Sequence, residues 1–155
     1  MFDAQGEIIQ LQPGETLLEP GTAPPGIWLI KSGSVRSLAQ VPPSRQWRTI
    51  ERHGPGELLG WLSLLHERPI EHLRAAESSE LLFLPAADYH RHFENQPALR
   101  QWCARQTPAI EAVHLLQQLA RRLTDFTGLM SLITRPQQPR AQLEAIRLVQ
   151  SGDRL

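Results

Sequence analysis

Cysteine and lysine are almost missing from this 155-residue chain: Cys103 and Lys31 stand alone against 15 arginines. A single cysteine excludes an internal disulfide and any cysteine-based metal-ligand spacing. Set in Leu99–Arg100–Gln101–Trp102–Cys103–Ala104, it is expected as a buried small apolar side chain. An excess of either charge is also lacking, with 16 basic and 16 acidic residues, so no global field draws the chain to nucleic acid or to an anionic membrane. The arginine skew reads as codon usage rather than as an array of phosphate sites. No apolar run is long enough to span a bilayer, and no basic-then-apolar leader opens the chain; the expected location is the cytoplasm. There is no nucleophile elbow, zinc motif or hydrolase-type phosphate loop, so an enzyme is not expected. His66, His72, His90 and His92 lack the paired spacing that a metal or heme sensor would want, and no metal site is expected.

What is present falls into two grammars. From residue 6 to about 84, short apolar runs alternate with Pro13–Gly14, Pro20–Gly21, Pro24–Pro25–Gly26, Ser32–Gly33–Ser34 and Pro55–Gly56. The runs are Glu7 to Leu11, Thr16 to Leu18, Ile27 to Ile30, Val35 to Ala39, Gln46 to Glu51, His72 to Ala76 and Leu81 to Leu84. Strands this short, with turn chemistry between them, indicate a mainly β barrel or sandwich. Val41–Pro42–Pro43–Ser44 serves as an exposed hairpin connection.

After Pro85 the pattern becomes helical. Thr107–Pro108 offers a hydroxyl cap followed by proline at the first helical position, and the next proline is Pro136. Ala109, Ala112, Leu116, Leu119, Leu123, Phe126, Met130 and Ile133 recur in steps of three and four, a heptad seam suited to dimerisation or to lying across the barrel. Arg121–Arg122 beside it reads as a solvated face.

Several segments together resemble the cyclic-nucleotide-binding domain, the sensor module of catabolite-activator-type regulators, kinase regulatory subunits and gated channels. Leu11–Gln12–Pro13–Gly14–Glu15–Thr16–Leu17 through Gly21 is similar to that family's opening strand and turn, and Gly26 to Arg36 to its next hairpin, with Gly33 where a positive φ is needed. Leu81 to Pro85 with Asp88, Tyr89 and Phe93 resembles the last strand entering a helix, and Asn95 to Leu99 a short helix start. The resemblance covers residues 6 to about 133. It implies a double-stranded β-helix, or jelly roll, over residues 1–105, with a short helix in front and a long helix over 106–134 behind.

The family's phosphate cassette corresponds to Gly56–Glu57–Leu58–Leu59–Gly60–Trp61–Leu62–Ser63 and on through Arg68–Pro69–Ile70–Glu71–His72. In such a domain, amides at a helix start and one arginine hold a cyclic phosphate, and a glutamate takes the ribose hydroxyl. By resemblance the glutamate position falls on Trp61, the arginine position on Ile70 and the next on Glu71, whose carboxylate is expected to repel a bound phosphate. Arg68 lies on the wrong side of Pro69 and Arg74 further along the strand, so neither is expected to rescue it. Trp61 is expected to fill the nucleotide's space; the functional alternative is a stacking wall for another flat ligand. Trp28, Trp47 and Trp102 are expected as core or hairpin cover. No cofactor is expected, with cyclic AMP and cyclic GMP disfavoured.

Beyond the helix, Arg135–Pro136–Gln137–Gln138–Pro139–Arg140 reads as a linker. Glu144 to Leu155 repeats the pattern of Glu7 to Leu17, as if residues 135–155 open a second similar domain of a larger protein; bacterial peptide-exporting ABC transporters are one parent by analogy. The expected function is a non-catalytic regulatory module with a degenerate pocket, its long helix self-associating or addressing a downstream domain. The alternatives are a sensor of some other small ligand and a truncated DNA-binding regulator; the neutral charge and strand-like tail speak against nucleic acid here.

Overall fold

The computed structural model describes the backbone of residues 6–134 and the side chains of residues 6–125; the expected linker and second-domain start at 135–155 lie outside the described residues. Among the described residues, glycine and proline punctuation delivers eight strands: β1 (Glu7–Leu11), β2 (Thr16–Leu18), β3 (Gly26–Ser32), β4 (Val35–Gln40), β5 (Trp47–His53), β6 (Leu58–Leu59), β7 (Leu73–Ala75) and β8 (Ser79–Pro85). They form two four-stranded antiparallel sheets in the orders β1-β8-β3-β6 and β2-β7-β4-β5, the jelly-roll arrangement. β6 is only two residues long and escaped the sequence reading; Leu58 and Leu59 carry too little alternation to register as a strand. His72, expected within a strand, precedes β7.

Between the sheets lies a core that includes Leu11, Trp28, Ile30, Val35, Leu73 and Leu81. Gly33 makes the β3–β4 turn at φ 82°, and a Cβ there would come within 2.3 Å of the Ser79 hydroxyl. Ser79 in turn bridges this turn to β8, accepting from the Ser34 amide at 3.0 Å.

Among the described residues there are four helices, α1 (Trp61–Leu65) within the strand-rich part and α2 (Ala86–Asn95), α3 (Pro97–Arg105) and α4 (Ala109–Thr134) in the chain's second grammar. Proline at the first position of α3 has its fixed φ preorganised for a helix start. A second core joins these helices to the barrel through Ile27, Trp61, Leu62, Tyr89, Leu99 and Ile110. Cys103 is buried in it, with its sulfur 3.8 Å from the Tyr89 hydroxyl. Burial raises the pKa of both, so thiol and phenol stay protonated.

Residues 1–114 form one compact unit and residues 115–155 a second. α4 begins one residue later than the Thr107 cap predicts: the Ala109 amide donates to the Glu51 carboxylate at 3.2 Å, a cap supplied from β5 across the chain. The sequence reading left two roles open for the seam, and the first turns of α4 differ in burial. Ile110 and Val113 are the buried residues, whereas Ala112, Leu116, Leu119 and Leu123 of the seam are exposed. The side chains of Phe126, Met130 and Ile133 lie outside the described residues. Among the described residues no helix is long and apolar enough to cross a membrane.

Candidate functional site

The cassette begins with a backbone corner that only glycine fits. Gly60 has φ 81°, and a Cβ would approach the Gly26 carbonyl and the Trp28 ring at 2.9 Å. The corner turns β6 into α1 and leaves the amides of Gly60 and Ser63 pointing at one spot. These are the unsatisfied donors of a helix start.

Glu71 fills that spot. Its Oε1 accepts from the Gly60 amide at 3.1 Å, and its Oε2 accepts from the Ser63 amide at 3.0 Å and from the Ser63 hydroxyl at 2.6 Å. The Ser63 oxygen in turn accepts from the amides of Ile70 and Glu71, each at 3.3 Å. Glu71 is 7% exposed and Ser63 2%. The loop from Pro69 is thereby laced onto α1 by five hydrogen bonds around one buried anion. The sequence reading had this carboxylate repelling a bound phosphate; in the structure it accepts hydrogen bonds from the helix-start amides of Gly60 and Ser63.

The remaining cassette residues divide. Trp61 and Leu62 are buried in the helix-side core, where Ile70 and Ile50 pack against the same cluster. The Trp61 ring meets Trp102 edge-on at 5.5 Å. Arg68 and Pro69 are exposed. Arg74 is on β7 directly opposite Arg36 of β4, away from the cassette. His72 points out of the cassette too, packing against the Trp47 ring edge-on at 4.7 Å. Burial, then the Arg74 guanidinium, lowers its pKa, with Glu19 opposing.

Beside Trp61 a cleft of about 140 Å³ remains, lined by Glu51, His53, Glu57, Leu58, Trp61, Trp102 and residues 106–108. Ligand pockets run from about 300 Å³ upward, and neither an arginine nor Ser63 nor Glu71 lines this one. No group of three metal-ligating side chains occurs among the described residues.

Sequence reasoning missed the links from the cassette to α4. His66, just after α1, pairs with Glu111 of α4 at 2.9 Å, Glu51 caps Ala109, and Trp61 shares its cluster with Ile110 and Val113. No short-range signal announces such contacts, because the partners lie 45 or more residues apart.

A family model for the cyclic nucleotide-binding domain matches residues 8–96. The chain belongs to the cyclic nucleotide-binding domain family. Among solved structures, the catabolite activator protein of Thermus thermophilus is 28% identical, with a TM-score of 0.52, over 83% of this chain and 55% of that one. The regulatory subunit of a cAMP-independent protein kinase A from Trypanosoma cruzi, bound to guanosine, shares the fold at a TM-score of 0.61 and 16% identity, over 74% of this chain and 40% of that one. A short match of 41 residues, 80% identical, links the chain to the heat-inducible transcription repressor HrcA of Synechococcus sp. (strain CC9902), covering 26% of this chain and 13% of that protein. The chain thus spans about half of the first solved relative and a small part of the curated ones.

Proposed function

We propose that this cyclic-nucleotide-binding-like domain is a non-catalytic, cytoplasmic regulatory module that works without a cyclic nucleotide or other cofactor, its phosphate cassette being occupied by its own Glu71. The observation that carries this reading is the set of three hydrogen bonds from Gly60 and Ser63 to the buried carboxylate. A phosphate entering there would have to displace a buried anion and find its charge met by Ile70 instead of a guanidinium. Trp61, packed among Ile50, Ile70 and Ile110, takes up ribose and base space.

The module's output is the position of α4. In this chain His66–Glu111, Glu51–Ala109 and the Trp61 cluster hold the start of that helix without a ligand, so the conformation is set by the sequence. The exposed Leu116, Leu119 and Leu123 are the surface through which α4 addresses a second copy or a neighbouring domain. Isothermal titration of the protein with cyclic AMP and cyclic GMP tests the ligand claim. The expected result is no saturable heat; micromolar binding of either nucleotide overturns it. Light scattering tests the helix surface, and a monomer at high concentration assigns those leucines to some other contact.

Kinship with a catabolite activator protein and with a stretch of a transcription repressor supports a second reading, a module within a transcription regulator. A gel-shift assay on the product of the full gene separates that reading from control of another kind of effector.

A further inference from the structure

The outer face of the sheet β2-β7-β4-β5 carries a feature that the cassette does not use. Register places Thr16 opposite Arg74, Arg74 opposite Arg36, and Arg36 opposite Arg52. Directly opposed residues on antiparallel strands share a face, so three arginines stand side by side on three adjacent strands. Their chain neighbours Leu73, Ala75, Val35 and Ser37 are buried, which turns the row away from the core. With strands about 4.8 Å apart, the row runs about 10 Å from Arg74 to Arg52.

Nothing in the described structure neutralises it. None of the three arginines forms an ion pair with a carboxylate among the described residues. Arg36 reaches only the Thr49 hydroxyl, at 3.5 Å, and the Nε atoms of Arg36 and Arg74 are buried without an acceptor. Like charges directly opposed destabilise a sheet. The row is also out of keeping with its surroundings, since residues 1–114 hold thirteen carboxylates and ten cations. Next to it, His72 is 6% exposed with both ring nitrogens unpartnered, and Trp47, against it, is 47% exposed. Glu19 is within electrostatic reach of His72.

We propose that this face docks an acidic helical segment of a partner protein. Carboxylates at positions i, i+3 or i+4, and i+7 of a helix are about 5–6 Å apart and span about 10 Å, which matches the row. Each guanidinium fork suits a carboxylate, and arginine and tryptophan are the residue types in which interface energy concentrates, so Trp47 supplies the apolar anchor beside the charges. Residues 115–155 match the row poorly in charge, since they carry six arginines against three carboxylates. Duplex DNA is a poorer fit, because its binders meet about 6–10 phosphates and this row offers three cations in an acidic unit.

The test is a titration of the ¹⁵N-labelled full chain with a synthetic helical peptide of about 18 residues, long enough to hold a helix, bearing glutamate at i, i+3 and i+7, and with its glutamine counterpart. The expected result is saturable binding of the glutamate peptide alone, a shift of the Trp47 indole N–H resonance, and at least tenfold weaker binding to Arg36→Gln. That substitution relieves like-charge repulsion, so the variant folds, which a thermal melt verifies. Equal binding of both peptides, an unchanged affinity in Arg36→Gln, or no saturation up to about 1 mM, weaker than about −4 kcal/mol, overturns the proposal. So does tighter binding of a single-stranded oligonucleotide of about 12 residues, which would assign the row to nucleic acid. None of these outcomes depends on whether the cassette takes a cyclic nucleotide.

Discussion

Glu71 and Arg74 lie three residues apart in the chain and have opposite fates. The carboxylate is buried with three donors on its two oxygens; the guanidinium stands in a row of its own kind with no carboxylate partner among the described residues. A buried charge that is fully hydrogen-bonded is structural, and its removal leaves stranded donors. A charge row left open at a surface costs stability and is available for a partner. The same short stretch of chain thus puts one charge inside a hydrogen-bonded network and leaves another without a carboxylate partner among the described residues.

The largest expected effect breaks the closed side. Glu71→Ala strands the amides of Gly60 and Ser63 in a buried site, and we expect a loss of about 3 kcal/mol, the scale of a broken buried charge network, read as a lower denaturation midpoint in urea. Glu71→Gln keeps the shape but loses the charge, and about half that loss is expected. If both variants are as stable as the parent, the carboxylate is not what holds the cassette.

Next comes pH, which separates the two faces. His72 has its pKa lowered from 6.5, so below about pH 6.5 the unfolded chain takes up a proton that the folded chain resists, and stability falls as pH drops. His72→Leu is expected to flatten that acid limb. At the other end, Cys103 and Tyr89 have raised pKa values; the unfolded chain ionises first above about pH 9, so stability declines as pH rises. Cys103→Ala removes the earlier part of that decline. Urea midpoints at several pH values measure all three.

The smallest effect is on the open side. Arg36→Gln takes the central like charge out of the row, and a gain of up to about 0.5 kcal/mol is expected, largest at low salt and fading as salt screens the row. A clear loss instead would mean that the arginine stems pack as structure, and the contrast with Glu71 would narrow.

How much of this could be read from the sequence depends on the range of each interaction. The strands were legible because turn chemistry is local: Pro13–Gly14, Gly33 and Pro55–Gly56 mark their ends within a few residues. Trp61, Ile70 and Glu71 were legible as oddities against the family's cassette. The destination of the Glu71 carboxylate was not, because it depends on the left-handed corner at Gly60, which brings the amides of residues 60 and 63 to a side chain eight or more positions on. The arginine row was invisible for a stronger reason. Arg36, Arg52 and Arg74 meet only through strand register, and a bulge between Ser37 and Leu38 shifts that register along β5. The role of the α4 seam stayed open in the sequence because a heptad count finds apolar residues without showing which of two overlapping faces, Ile110–Val113 or Leu116–Leu123, is buried.

The lacing around Ser63 and Glu71 also bears on how such a domain could change its trade. Ile70→Arg alone would set a cation beside Glu71 and create an internal ion pair in place of a ligand site. Glu71→Ser alone would empty the amides but leave Ile70 and the indole of Trp61 in the way. Trp61→Glu alone would bring a second carboxylate toward the first. On the function proposed above, each single step back toward a nucleotide pocket leaves the other two obstacles in place, so the route is a ratchet: reversal requires three changes together.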